Sequence, residues 1–134
     1  MQKPYTRIMI IDDNAVDLYI ASRMVTSNQF ADHVIGCLSG LEALVYLQNN
    51  GNNPDLLPQI IFTDIYMPLM TGFEFLESYD QLPQSVKAYC RVFMLSSSID
   101  DSDIIRSQTD KNSGKFLVKP ITKKILDDIL AGLL

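Results

Sequence analysis

Gln59-Ile60-Ile61-Phe62-Thr63-Asp64-Ile65-Tyr66-Met67-Pro68-Leu69-Met70-Thr71-Gly72 is the stretch that decides the fold. A short apolar run leads to one carboxylate and then into a Pro/Gly loop. A continuous run of this kind, bounded by turn residues, reads as a strand buried on both faces. Asp64 therefore ends a rigid strand and is aimed at the surface. Phe73, Leu76 and Tyr79 then suggest a short helix after Gly72.

Working outward, three other apolar runs end in chemically useful residues. Arg7-Ile8-Met9-Ile10-Ile11 leads to Asp12-Asp13, Val92-Phe93-Met94-Leu95 to Ser96, and Lys115-Phe116-Leu117-Val118 to Lys119. His33-Val34-Ile35-Gly36-Cys37 is a fifth candidate strand. Helical periods lie between them. Residues 15–27 place Val16, Tyr19, Ile20, Met24 and Val25 on one stripe, with Asp13 or Asn14 as the cap. Ser39 with Glu42 makes a capping box, and Leu41, Leu44, Val45 and Gln48 give the period of the helix it opens. Residues 49–58 read as loop, and 81–89, with Pro83, as a connection. Residues 101–110 read as a weak helix in which only Ile104 and Ile105 are clearly apolar, a pattern of low local stability. Thr122 caps the last helix, with Ile125, Leu126, Ile129, Leu130 and Leu133 on one face. Lys123 and Lys124 at its start, with Asp127 and Asp128 later, oppose the helix dipole, so packing must hold it.

Five βα units predict an α/β fold: a doubly wound, five-stranded parallel sheet with right-handed crossovers and helices on both faces. Ligands of such open sheets bind beyond the carboxyl ends of the strands. Asp12, Asp13, Asp64, Ser96 and Lys119 all fall there. At 134 residues, 47% of them hydrophobic, the chain is expected to form one domain over 1–134 with its own core. A net charge of −5 argues against a general nucleic-acid binder and permits a cation site. Cys37 and Cys90 stand far apart with no histidine cluster, which predicts reduced, buried thiols. No apolar run approaches the roughly 20 residues needed to span a bilayer. The first residues run straight into a strand pattern, so no leader and a cytoplasmic location are expected.

Three carboxylates in one crevice repel each other, and a hard cation relieves that. Mg²⁺ prefers one or two carboxylates, waters and a phosphate oxygen. A carboxylate can also attack a phosphoryl group to form an aspartyl-phosphate. That transfer needs positioning and charge neutralisation more than covalent chemistry. Lys119 offers an ammonium and Ser96 a hydroxyl, although Ser97 and Ser98 compete for the latter role. Each residue alone has a bland reading: a helix cap, a loop acid, a turn serine, a solvated lysine. Together they are far more specific. His33, the sole histidine, lacks the helical-bundle context of a phosphorelay donor.

Over nearly all its length the chain resembles a receiver domain of a two-component response regulator, of the single-domain chemotaxis type. The family's paired acids match Asp12-Asp13. Its phosphoacceptor matches Asp64 within D-x-x-M-P-x-x-x-G, here Asp64 to Gly72. Its Thr/Ser after the fourth strand matches Ser96, and its Lys-Pro matches Lys119-Pro120. The resemblance implies a flavodoxin-like strand order 2-1-3-4-5. It implies Mg²⁺ held by Asp13, Asp64 and the backbone carbonyl of Tyr66, with Asp12 acting partly through water. It implies that Lys119 pairs with Asp64 before phosphorylation and that the Lys119-Pro120 bond is cis. Phe116 matches the switch aromatic, which turns inward as Ser96 moves to the phosphoryl group. The face formed by the 101–110 helix, the fifth strand and the last helix then changes.

The implied partners are a sensor histidine kinase or histidine phosphotransfer protein and an unidentified downstream protein. Neither nucleic acid nor membrane is implied, and the expected state is a monomer or weak homodimer. The implied chemistry is Mg²⁺-dependent self-phosphorylation and autodephosphorylation, not that of a conventional enzyme. Ser97 stands where alanine is common, and Tyr66 is bulky at a position that often tunes hydrolysis. Two rivals remain. A Mg²⁺-dependent aspartyl-phosphate phosphatase carries D-x-D after its first strand, whereas this chain has Asp12-Asp13-Asn14. A non-phosphorylated pseudo-receiver would not need the intact acceptor, acids and lysine.

Overall fold

The structure is a computed structural model and describes residues 3–96 and 115–134. The expected 101–110 helix, Ser97, Ser98 and the turn before the last strand lie outside the described residues. The elements are β1 (Tyr5–Ile11), α1 (Ala15–Ser27), β2 (Ala31–Cys37), α2 (Gly40–Asn49), a 3₁₀ turn (Pro54–Leu56), β3 (Ile60–Asp64), α3 (Gly72–Tyr79), α4 (Gln84–Tyr89), β4 (Arg91–Ser96), β5 (Lys115–Val118) and the last helix, here α5 (Lys123–Leu130). The five strands form one parallel sheet in the order β2-β1-β3-β4-β5.

Strand alternation divides the core into two layers. Met9, Ile11, Ile61 and Met94 face a layer built with α2, α3 and α4. Ile8, Ile10, Ile60, Phe62, Phe93 and Leu95 face the opposite layer, with Val25 of α1 and Leu126 and Ile129 of α5. Strands buried on both sides account for the unbroken apolar runs. Cys37 and Cys90 are free, buried thiols.

Four expectations need correction. The stripe expected on α1 is wrong in its first half, because Val16, Tyr19 and Ile20 are exposed. Val25 is buried, and Leu18, Ala21 and Met24 pack partly against the same layer. Apolar residues occupy two faces of this helix, so the period alone could not choose between them. On α2 the buried residues are Gly40, Ala43, Leu44 and Leu47, while Leu41 and Val45 are exposed. Small residues carry that buried face: a Cβ on Gly40 would lie 2.7 Å from Met70 Sδ, so glycine permits the approach and hydropathy misleads. The 81–89 connection contains α4, which starts after Pro83 and buries Val86. In α5, Leu130 and Leu133 are exposed. The helix ends at Leu130, and Gly132 at φ +77° takes the chain away.

Candidate phosphoacceptor site

The site is assembled from the carboxyl ends of β1, β3, β4 and β5. Asp12 directly follows β1, and its backbone N–H donates to the Cys37 carbonyl at 3.0 Å, extending the β1–β2 ladder by one residue. The residue is only 5% exposed. Oδ1 accepts from the Asn14 N–H at 2.9 Å. Asn14, one of the two expected caps, closes the start of α1 by accepting from the N–H groups of Val16 and Asp17. Asp12 is thereby locked against the helix start while Asp13 is exposed.

Asp64 is the last residue of β3. Its Oδ1 accepts from the Ile65 N–H at 3.0 Å. The Ile65 N–H also lies 3.3 Å from the Leu95 carbonyl, which ties the loop after Asp64 to β4. The loop returns through Gly72, whose N–H donates to the Ile65 carbonyl at 2.7 Å. A Cβ on Gly72 would fall 2.6 Å from the Asp64 carbonyl oxygen and 3.0 Å from Ile65 Cα. Only glycine allows the start of α3 to sit on the Asp64–Ile65 backbone. Thr71 and Glu74 form a reciprocal capping box there. Its Thr-x-x-Glu signature is a local sequence signal for this helix start.

Ser96 ends β4 and is buried. The backbone N–H of Lys119 donates to its carbonyl at 2.7 Å. The Lys119-Pro120 peptide is cis. The Lys119 ammonium lies 3.1 Å from Asp12 Oδ2 and 3.3 Å from Asp64 Oδ1, bridging the ends of three strands. Burial pushes the Asp64 carboxyl above its ordinary value; the Lys119 ammonium opposes this and the Asp12 charge adds to it. Burial alone would pull the Lys119 ammonium down, but Asp64 and Asp12 together outweigh it and leave it raised.

Asp12, Asp13 and Asp64 each present an oxygen within 4.8 Å of the others. One lysine against three carboxylates leaves an excess of negative charge at a cluster of hard oxygen donors. That donor set fits a small divalent cation such as Mg²⁺. Tyr66 and Phe116, two further residues singled out by the sequence, differ in their settings. Tyr66 follows Asp64 in the loop with its ring exposed, and Phe116 packs half-buried against the layer that holds Met94.

A family model for the response regulator receiver domain matches residues 8–131. The chain belongs to that family. It is 32% identical over 114 residues to the two-component response regulator ORR5 of Oryza sativa subsp. japonica, covering 85% of this chain and 78% of that one. Against ORR1 of the same plant the identity is 29% over 121 residues. That match takes in 89% of this chain but only about half (51%) of the relative's length. Among solved structures, a response regulator receiver protein from Dyadobacter fermentans aligns with a TM-score of 0.83 at 29% identity, covering 96% of this chain and 97% of that one. A two component response regulator from Cytophaga hutchinsonii shares the fold at a TM-score of 0.85 and 24% identity, over 98% and 97% of the two chains. No helix among the described residues is long and apolar enough to cross a membrane.

Proposed function

We propose that Asp64 accepts a phosphoryl group from a phosphohistidine of a sensor kinase or histidine phosphotransfer protein, in a Mg²⁺-dependent step, within a single receiver domain spanning 1–134. The observation that carries this is the Lys119 bridge between Asp12 and Asp64 beside Asp13. A carboxylate oxygen of Asp64 attacks phosphorus; the new P–O bond forms as the P–N bond breaks and its electron pair returns to the imidazole nitrogen. Asp13, Asp64 and the Tyr66 carbonyl would hold Mg²⁺, with Asp12 acting partly through water. When bound, the ion neutralises charge on the attacking carboxylate and on the phosphoryl oxygens. Lys119 sits within reach of the same oxygens and supplies a second positive charge. The Ile65 N–H fixes the orientation of the attacking carboxylate.

The readout we propose runs through Ser96 and Phe116. Met94 pairs with Phe116 and Ser96 with Val118 in the β4–β5 register. Residues two apart share a face, so Ser96 and Phe116 are diagonal neighbours on one side of the sheet. A Ser96 hydroxyl drawn toward the phosphoryl group leaves space that the Phe116 ring can enter. The donor surface is supported by α1. Val16, Tyr19 and Ile20 stand exposed in its first two turns, at the carboxyl end of the sheet where Asp64 also lies. A cleft of about 300 Å³, lined in part by Ile20, Asp12, Lys119 and Ile121, opens beside them.

Incubation with acetyl phosphate and Mg²⁺ should add one phosphoryl mass to the intact protein. Asp64→Asn should abolish the addition, and EDTA should suppress it. Labelling that survives Asp64→Asn would sink the assignment. Multiple turnover on small phosphomonoesters would instead revive the phosphatase reading.

A further inference from the structure

The cleft beside the acid cluster is more than a passage to Asp64. It holds about 300 Å³, roughly twice the 150 Å³ of an apolar cavity that takes up benzene. Ile10 of β1, Leu95 of β4 and Ile121, which follows the Lys119-Pro120 peptide, line it. All three are buried members of the layer that holds α1 and α5. The cleft is therefore a gap in an apolar layer that opens to solvent. It lies beyond the carboxyl ends of the strands, where open parallel sheets take their ligands. An apolar recess with a few convergent polar groups has the build of a small-molecule site.

The charges on its wall select the sign of the occupant. Asp12, Asp17 and Lys119 all line it. The Lys119 ammonium is engaged twice, by Asp12 and by Asp64. Asp12 is engaged at both oxygens, by the Asn14 N–H and by Lys119. Asp17, in the first turn of α1, is exposed and forms no ion pair among the described residues. An anion would enter against two carboxylates, with the one ammonium on the wall already paired. A neutral molecule would cover the Asp17 carboxylate without pairing it, and unpaired desolvation costs affinity. A cation pairs with Asp17 and leaves the Lys119 bridge intact.

We propose that this cleft binds a small organic cation: a protonated amine on an apolar body of about one ring. Its ammonium meets Asp17, and its body fills the space against Ile10, Leu95 and Ile121. The occupant is a free molecule, since the recess takes one ring with a short arm and buries most of it. The site does not depend on Asp64 accepting a phosphoryl group. Asp12 and Lys119 belong to the cleft and to the acid cluster alike, so an occupied cleft lies directly against both.

The test is a titration of the full chain, followed by two-dimensional NMR, with four probes. These are phenethylamine, its neutral counterpart 2-phenylethanol, the anion 3-phenylpropanoate, and a lysine side chain presented by the capped peptide acetyl-Gly-Lys-Gly-amide. Phenethylamine should saturate shifts at Ala21 and Ile121, both on the cleft wall. The alcohol should bind about fivefold more weakly, the loss expected of one exposed ion pair. The anion and the peptide should not saturate. Asp17→Asn should weaken the amine about fivefold and erase its advantage over the alcohol. Ala21→Leu, which fills the cleft, should abolish binding. Should that variant fail to fold, the exposed Asp17→Asn carries the test. Amine binding no tighter than that of the alcohol or the anion overturns the charge assignment. Amine binding that survives Ala21→Leu overturns the location. A peptide that binds more tightly than the amine gives the cleft to a protein partner's lysine and overturns the free ligand. No saturation by phenethylamine overturns the site itself.

Discussion

Burial changes the chemistry of single titratable residues in this chain, and not only in the acid cluster. Burial pushes the Cys37 thiol up to about 12, with the Glu42 charge adding to it. Burial also pushes the Cys90 thiol up to about 12, although a hydrogen bond from Tyr79 pulls the other way. A thiol raised in the folded state supports folding fully below its unfolded value, 9.0 for each cysteine, and loses that support as pH climbs toward the folded value. Stability should therefore fall on the alkaline side as the unfolded thiols ionise and the folded ones do not. Urea midpoints at pH 8 and pH 10 should show wild type losing about 1 kcal/mol more than Cys37→Ala over that interval. Parallel losses would refute the burial argument. Gly72 gives a second residue-scale prediction. Gly72→Ala puts a Cβ 2.6 Å from the Asp64 carbonyl oxygen, a backbone atom that cannot turn aside. The cost should be about 2–3 kcal/mol by urea unfolding, with slower acetyl phosphate labelling if Asp64 is the acceptor as proposed, because its backbone is displaced.

At the scale of elements, the helices show where sequence patterns lose their grip. The start and stop of α1 were legible because Asn14 and the run to Ser27 are local signals. Its buried face was not, since Val16, Tyr19 and Ile20 mimic a core stripe and are held out by how the helix lies on the sheet. Val25→Ala should cost about 2–3 kcal/mol, from lost burial plus the cavity left behind. Ile20→Ala should stay within about 0.5 kcal/mol, as exposed substitutions do. Urea unfolding of both variants decides which face is core. On α2, Gly40 and Ala43 face inward because close approach to Met70 and Phe75 rewards small size, which hydropathy does not register. α4 was missed because Gln84-Ser85-Val86-Lys87-Ala88-Tyr89 buries one residue, too little for a period to emerge. α5 is held as its dipole clash required: Leu126 and Ile129 are buried. The exposed Lys123–Asp127 and Lys124–Asp128 pairs, each at 2.8 Å, add little.

At the scale of the whole molecule, sheet and site were legible together, for one reason. Every residue of the acid cluster and its lysine ends or follows a strand, and strand ends announce themselves by a change from apolar to polar. The positive φ of Leu69, +69°, gave no such signal, since a residue with a Cβ does not announce a left-handed backbone. A cation that binds only the folded acid cluster should stabilise the protein by mass action, by about 2.7 kcal/mol at a concentration 100 times its Kd. Tm should accordingly rise with added Mg²⁺, and Asp13→Asn should remove most of the rise while leaving the metal-free Tm close to wild type. A Tm indifferent to Mg²⁺ would count against the cluster as a metal site. The lysine bridge has a consequence of another kind. Its ends belong to β1, β3 and β5, stretches far apart along the chain that meet only when the sheet is laid down in full. No fragment that stops short of Lys119 can hold the acids at rest. On the proposed phosphoacceptor role of Asp64, competence to be labelled waits until β5 has joined the sheet, and labelling would report that assembly.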